Sequence, residues 1–431
     1  MQAFRAALFS PQADPAAAAE ADAWVYHPDG LLLVDEGRIV ACGAWDDLSA
    51  QLGDTPVQYF PGKMITPGFV DLHIHFPQTD AIAAHGEQLL DWLDRHVFPA
   101  EAAFADPAHA AEAARFFVAE LLRNGTTTAL VFGSSHKASV DALFAEAARR
   151  DMRLIAGKSL MDRHAPDSVR DDLDGSRRDM EALIGAWHGK GRLGYAVTPR
   201  FAISCSDAQL TMAGEVLREH QGLWMQTHLA ENHAEITRTG ELFPAARDYL
   251  DVYDRFGLLG PRSVFAHCIH MTDDAFGRMA QAGAAAAFCP TSNLFLGSGL
   301  FDLNKALSHR VKVGMGTDVG AGTSFSLLTT LGEAYKVGQL RHYALDPFQA
   351  FYLATLGGAR ALGLGDRIGS LEPGKEADFL VLDLAATPLL ERRMATTDDL
   401  AERLFILTIL GDDRVVQETY VAGTRQHTRG I

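Results

Sequence analysis

From Gly68 to about Gly365, short apolar runs alternate with longer segments of helical period. The runs are FVDLHIH (69–75), TTTALVF (126–132), RLIAGKSL (153–160), RLGYAVTPRF (192–201), LWMQTHLAE (223–231), SVFAHC (263–268), AAAFCP (285–290) and VKVGMGTD (311–318). Several of the segments between them carry helix boundary signals. AHAAEAARFFVAELLRNG stops at Asn124-Gly125, SDAQLTMAGEVLREHQG opens on a Ser206-x-x-Gln209 capping box, and TDDAFGRMAQAG runs from Thr272 to Gly283. Strands separated by helices pair in parallel, because a parallel pair needs a long crossover. Eight such units predict an α/β fold, a (β/α)8 TIM barrel over residues 67–366. The flanks read differently. LLLVDEGRIVACG, VQYFPGKMITPG, GSLEPGKEADFLVLD and VVQETYVAGTRQ are hairpin-like, with Gly or Pro punctuation. Residues 1–66 and 367–431 are therefore expected to pair into one small β-sandwich domain built from both chain ends.

Bulk composition excludes some partners. Asp plus Glu outnumber Lys plus Arg 55 to 38, a net charge of −17, which opposes binding to nucleic acid or an anionic membrane. Four cysteines, Cys42, Cys205, Cys268 and Cys289, are widely spaced without a CxxC, as expected of reduced thiols rather than a disulfide framework. The N-terminus has no apolar h-region, and no run is long enough to span a bilayer, so a cytoplasmic location is expected.

The barrel rule gives meaning to the polar residues. In this fold, side chains at the C-terminal strand ends meet at one mouth. The first strand ends in His73 and His75, two residues apart and so expected on one face with Asp71, opposite Val70, Leu72 and Ile74. The fifth brings His228, the sixth His267 and the eighth Asp318. Imidazoles with a carboxylate suit zinc, with iron as a competitor. Taken singly, His267 reads as a core histidine and Asp318 as a turn residue; together, at four strand ends, they read as a metal centre. Glu231 follows His228 by three residues. It is either a cap or ion-pair residue, or a proton shuttle for water acidified by the metal. His136 and His270 lie just past strand ends and are secondary candidates.

The HxH of the first strand, THLAEN, the His of the sixth strand, GTD, and the tail GSLEPGKEADFLVLD resemble the amidohydrolase superfamily over nearly the whole chain. The fourth strand ends in TPRF, with Arg200 where dinuclear members carry a lysine; Lys158, on the third strand, is expected to be structural. The likeness is therefore to the mononuclear deaminase branch. HIHFPQ, TPRFAISCS, THLAENHAEI, YLDVYDRFGLLG, CPTSNLFLGSG and GTDVGAGTSFS are similar to segments of guanine deaminases.

That resemblance implies one zinc ion, or Fe2+, on His73, His75, His228 and Asp318, with His267, Asp318 and Glu231 catalytic. It implies contacts to a purine from Gln78, Arg200, Phe201 and His228, guanine as substrate, and a homodimer. The side chains suit an oxopurine on their own terms. Arg200 carries only donors and would favour a keto oxygen over an amine, Phe201 can supply a ring face, and Gln78 has both a donor and an acceptor. Open alternatives are deamination of 8-oxoguanine, a pterin, cytosine or an adenosine-type thioether, a chlorohydrolase, and a non-catalytic scaffold. The last is opposed by the full complement of ligand positions and Glu231.

Overall fold

The computed structural model describes residues 1–85 and 89–430. Its strands, in chain order, are β1 (Gln2–Pro11), β2 (Trp24–Asp35), β3 (Arg38–Ala44), β4 (Val57–Pro67), β5 (Phe69–His75), β6 (Thr126–Phe132), β7 (Arg153–Gly157), β8 (Ser159–Leu160), β9 (Leu193–Pro199), β10 (Trp224–Leu229), β11 (Ser263–His267), β12 (Ala285–Phe288), β13 (Lys312–Met315), β14 (Phe379–Asp383), β15 (Val416–Val421) and β16 (Thr424–Thr428). No helix among the described residues is long and apolar enough to cross a membrane.

The parallel barrel forms as the alternation predicts. Its strands pair in the order β13-β12-β11-β10-β9-β7-β6-β5, with β8 on β9. The third apolar run is not one strand: it breaks at Lys158, which is buried and ion-paired to Asp171. The ring closes just beyond β13. There the Asp318 N–H donates to the His73 carbonyl at 2.8 Å, and the His75 N–H donates to the Val319 carbonyl at 2.9 Å. Asp71 completes the seam. Its carboxylate accepts from the backbone N–H groups of His73 and Thr317, both at 3.1 Å, and from the Thr317 hydroxyl at 2.5 Å.

Strict alternation along β5 is not what the fold uses. Register against β6 shifts between Asp71 and Ile74, so one residue is extra at that point. Val70 and Leu72 join Leu130, Ile155, Ala196 and Val264 in the barrel interior, whereas Ile74 packs outward with Phe69 and the helices. Such a bulge re-aims side chains near a site. Here it puts His73 and His75 into the mouth although Leu72 also points inward.

The helices follow their sequence signals. Pro107–Arg123 is capped by Asp106, buries Ala110, Ala113, Ala114, Phe117, Val118, Leu121 and Leu122 at helical spacing, and ends at Gly125, whose φ of 82° suits glycine. Ser206 caps the helix Asp207–Glu219, but Gln209 does not return the bond; its side-chain atoms lack partners among the described residues. The reciprocal box forms elsewhere, between Asn232 and Glu235.

Both chain ends supply the smaller β unit, a sheet in the order β16-β15-β14-β4-β1-β2-β3 around Phe4, Leu8, Leu32, Ile65, Phe379 and Tyr420. It meets the N-terminal ends of the barrel strands through buried ion pairs. Arg153 and Arg192 both reach Glu376, and Arg192 also binds Asp378. The opposite end of the barrel is left for the site.

Candidate active site

His73 and His75 leave β5, His228 leaves β10, and Asp318 follows β13. Their ligand-type atoms all lie within 4.8 Å of one another. His75 Nε2 is 3.2 Å from His73 Nε2 and 3.1 Å from His228 Nε2; Asp318 Oδ1 is 3.2 Å from Nε2 of both His73 and His75. Burial holds all three imidazoles below their ordinary pKa, His75 down to about 3 and His228 well below, so they are neutral at pH 7. His228 Nδ1 donates to the Arg200 carbonyl at 2.6 Å, which leaves its Nε2 lone pair facing the group. Neutral imidazoles whose lone pairs converge around a carboxylate repel one another unless a cation sits among them. Three nitrogens and one oxygen are also the donor set that divalent zinc takes. The residues therefore fit a single divalent metal.

Local backbone is bent to serve this point. Ala230, His267 and Asp318 adopt φ of 50°, 71° and 52°, the left-handed region that non-glycine residues avoid. Gly316 makes room for β5. A Cβ there would meet Cys289 Sγ at 2.8 Å and His73 Cβ at 2.9 Å. Gly316→Ala is expected to cost about 1–3 kcal/mol by overpacking, seen in urea denaturation, with weaker metal retention because His73 is the atom displaced.

Glu231 and His267 stand beside the group. His267 Nδ1 donates to Asn293 Oδ1 at 2.8 Å, so its Nε2 faces Glu231 Oε2 at 3.4 Å and Asp318 Oδ2 at 3.8 Å. The Ser298 hydroxyl donates to Glu231 Oε1 at 2.9 Å. Burial, then the charge of Asp318, pushes Glu231 up to about 8, which makes it a carboxylic acid at neutral pH. Its backbone is held by Glu235, which accepts the Glu231 N–H at 3.0 Å and the Tyr249 hydroxyl at 2.6 Å.

A partly open pocket lies over these residues. Gln78, Arg200 and Phe201 line it together with His75, His228, Glu231, His267 and Asp318; His73 lies behind, buried. Three further side chains, Leu89, Trp92 and Leu93, come from the segment between β5 and the helix Pro107–Arg123. Sequence patterning gives no sign of their role, since they stand in a non-periodic excursion. Glu101, from the same excursion, is fully buried and receives two bonds of 2.7 Å from Arg200 Nη1 and one of 3.1 Å from Gln78 Nε2. His136 and His270 do not line the cavity; His270 Nε2 donates to the Ser298 carbonyl at 2.9 Å.

Comparison with known proteins agrees with this layout. The model of the amidohydrolase family matches residues 64–425. The guanine deaminase of Escherichia coli is 51% identical over 402 residues, covering 93% of this chain and 92% of that protein. The solved structure of E. coli guanine deaminase superposes with a TM-score of 0.98 at 48% identity over the whole of both chains. That of the C. acetobutylicum enzyme, with guanine bound in its active site, superposes with a TM-score of 0.90 at 29% identity, covering 98% of this chain and 99% of that one. The matched span contains every strand of the barrel and every residue of the converging group, and the chain belongs to the amidohydrolase family.

Proposed function

We propose that this protein hydrolyses guanine to xanthine and ammonia, using a divalent metal, zinc by its donor set, held by His73, His75, His228 and Asp318. The observation that carries the reading is the placement of Arg200, Gln78 and Phe201 on one cavity wall with Glu231 and the converging imidazoles beside them. When bound, the metal supplies a water acidified toward neutrality.

The chain's own residues do the rest. Arg200 spends Nη1 on Glu101, and its remaining nitrogens make no hydrogen bond among the described residues, so they are available to a keto oxygen. Adenine presents an amine there and leaves those donors unpaired. Phe201 packs against the flat ring, and Gln78 pairs with a ring edge. His267, fixed by Asn293, orients the attacking water, and Asp318 receives its proton. Glu231, protonated at neutral pH, delivers a proton to a ring nitrogen as oxygen bonds to C2. Left as a carboxylate, it takes up the proton held by Asp318 and relays it to the exocyclic amine; the C2–N bond breaks, ammonia leaves, and the C2 hydroxyl proton returns to Glu231 as the C2 carbonyl forms.

Ammonia release from guanine, 8-oxoguanine, adenine, cytosine and pterins tests this. Guanine is expected to be preferred over adenine by on the order of 10⁴-fold, because mismatched buried donors are costly. A preference for any of the others overturns the substrate. Metal analysis is expected to find one divalent ion per chain. His228→Ala should lose both metal and activity, since two nitrogens and a carboxylate hold it poorly. Full metal occupancy in that variant would remove His228 from the ligand set.

A further inference from the structure

We propose that Glu101 is a positioning residue that cancels the charge of Arg200 in the purine pocket, so that the purine wall favours uncharged guanine over ionised oxopurines such as its own product. The inference rests on the reading of the cavity as an oxopurine site.

Glu101 sits on the short helix Phe98–Ala103, which belongs to no barrel strand or crossover helix. It is 0% exposed, so its charge requires a partner. That partner is Arg200, whose Nη1 donates to both carboxylate oxygens at 2.7 Å. The same carboxylate takes Gln78 Nε2 at 3.1 Å, so two residues from different strand ends are fixed against one another by a third. Phe98, one turn earlier, lies under the Arg200 guanidinium at 5.3 Å and packs in one cluster with Phe201. The whole purine wall is thus held from a single turn of helix.

The charge matters as much as the position. An arginine alone in a buried pocket attracts anions, and would bind an ionised ring better than a neutral one. Paired with Glu101, Arg200 still donates hydrogen bonds but brings no net charge. Xanthine has a more acidic ring N–H than guanine and ionises closer to neutrality. Without Glu101 the pocket would retain it. His136, beyond β6 and beside the Lys158–Asp171 pair, also feels the Glu101 charge, and His75 that of Arg200.

The test is Glu101→Gln, which keeps the shape and one accepting oxygen for Arg200 and Gln78 but removes the charge. Xanthine binding is followed by the fluorescence of Trp92, which lines the cavity, so the reading does not depend on turnover. In the wild type, xanthine should bind more weakly as pH rises through its ionisation. In Glu101→Gln it should bind about ten-fold tighter above that ionisation than below it, as an uncompensated nearby cation requires. Guanine KM should rise on the order of 10-fold, with kcat changed far less. Glu101→Gln/Arg200→Gln, with both charges gone, should lose the preference for ionised xanthine, and Glu101→Asp should keep the wild-type pH response while raising guanine KM. If Glu101→Gln does not fold, the last two variants decide. An unchanged xanthine response in Glu101→Gln, a double variant that still prefers the anion, or an Asp variant with unchanged guanine KM overturns the proposal. A wild type that binds xanthine but releases no ammonia from guanine overturns the functional reading instead.

Discussion

Glu231→Gln is expected to lower kcat for guanine by on the order of 10⁴-fold, the upper end of what a positioned acid–base group contributes, while metal content stays at one ion per chain. The two halves of this expectation come from separate observations. Glu231 is not one of the converging atoms; it stands 3.4 Å from His267 Nε2 and is tied to Ser298. Glutamine has the same length and can accept the Ser298 hydrogen bond, so the cavity keeps its shape. What it lacks is a labile proton. The reaction moves a proton onto the ring and another onto the leaving amine, and burial has already shifted Glu231 up to about 8, so the proton is present at neutral pH. KM should move little, because on the proposed reading Arg200, Gln78 and Phe201 carry the ring contacts. Steady-state rates and metal analysis on the same preparation check both halves. A variant that turns over near the wild-type rate removes Glu231 from proton transfer; one that loses its metal makes it a ligand instead.

The converging group is legible in the sequence because its members lie on barrel strands or just past their ends. Strand type and strand end can be read from apolar runs, and the barrel then brings His73, His75, His228 and Asp318 together although they are far apart in the chain. What is not legible depends on contacts that exist only after folding. Glu101 carries no local signal. Its short helix lies in an irregular excursion, and its partners are 99 and 23 residues away. The bulge in β5 is equally hidden, since FVDLHIH alternates on paper and the extra residue appears only against β6. Asn293 and Ser298, which aim His267 and Glu231, lie in CPTSNLFLGSG, a segment marked by resemblance alone, with nothing local to say which side chains they orient. One signal could have been used. Asn232-x-x-Glu235 has the spacing of a capping box, and reading it would have started a helix immediately after Glu231.

Glu376→Ala is expected to destabilise the fold by about 3–5 kcal/mol, the cost of leaving a buried charge without its partner, and to do so without a matching loss in kcat. Arg153 is 4% exposed, and among the described residues its side-chain hydrogen bonds all go to Glu376, at 2.5–3.1 Å. Arg192 shares the same carboxylate at 2.8 Å but also has Asp378 and the Asp151 carbonyl. Removing Glu376 therefore strands Arg153 more than Arg192. The pair joins the start of β7 to the segment before β14, on the face of the barrel away from the catalytic mouth, where residues serve stability rather than chemistry. Replacing both partners should be milder than replacing one: Glu376→Ala/Arg153→Met is expected to recover part of the loss, since an apolar side chain needs no counter-charge. The ion pairs also set an acid limit. Burial pushes the Glu376 carboxyl up, Arg192 and Arg153 outweigh it, and its folded pKa lies below the ordinary 4.5. The stabilisation is thus complete above the unfolded-state pKa and is lost as pH falls through the depressed folded value. Urea denaturation at neutral pH should separate wild type from Glu376→Ala fully, and the gap should narrow in acid as the wild-type carboxyl takes up its proton. A difference below about 1 kcal/mol at neutral pH, within the range of surface pairs, would mean that water reaches Arg153 and that Glu376 adds little to the joint between the two β layers.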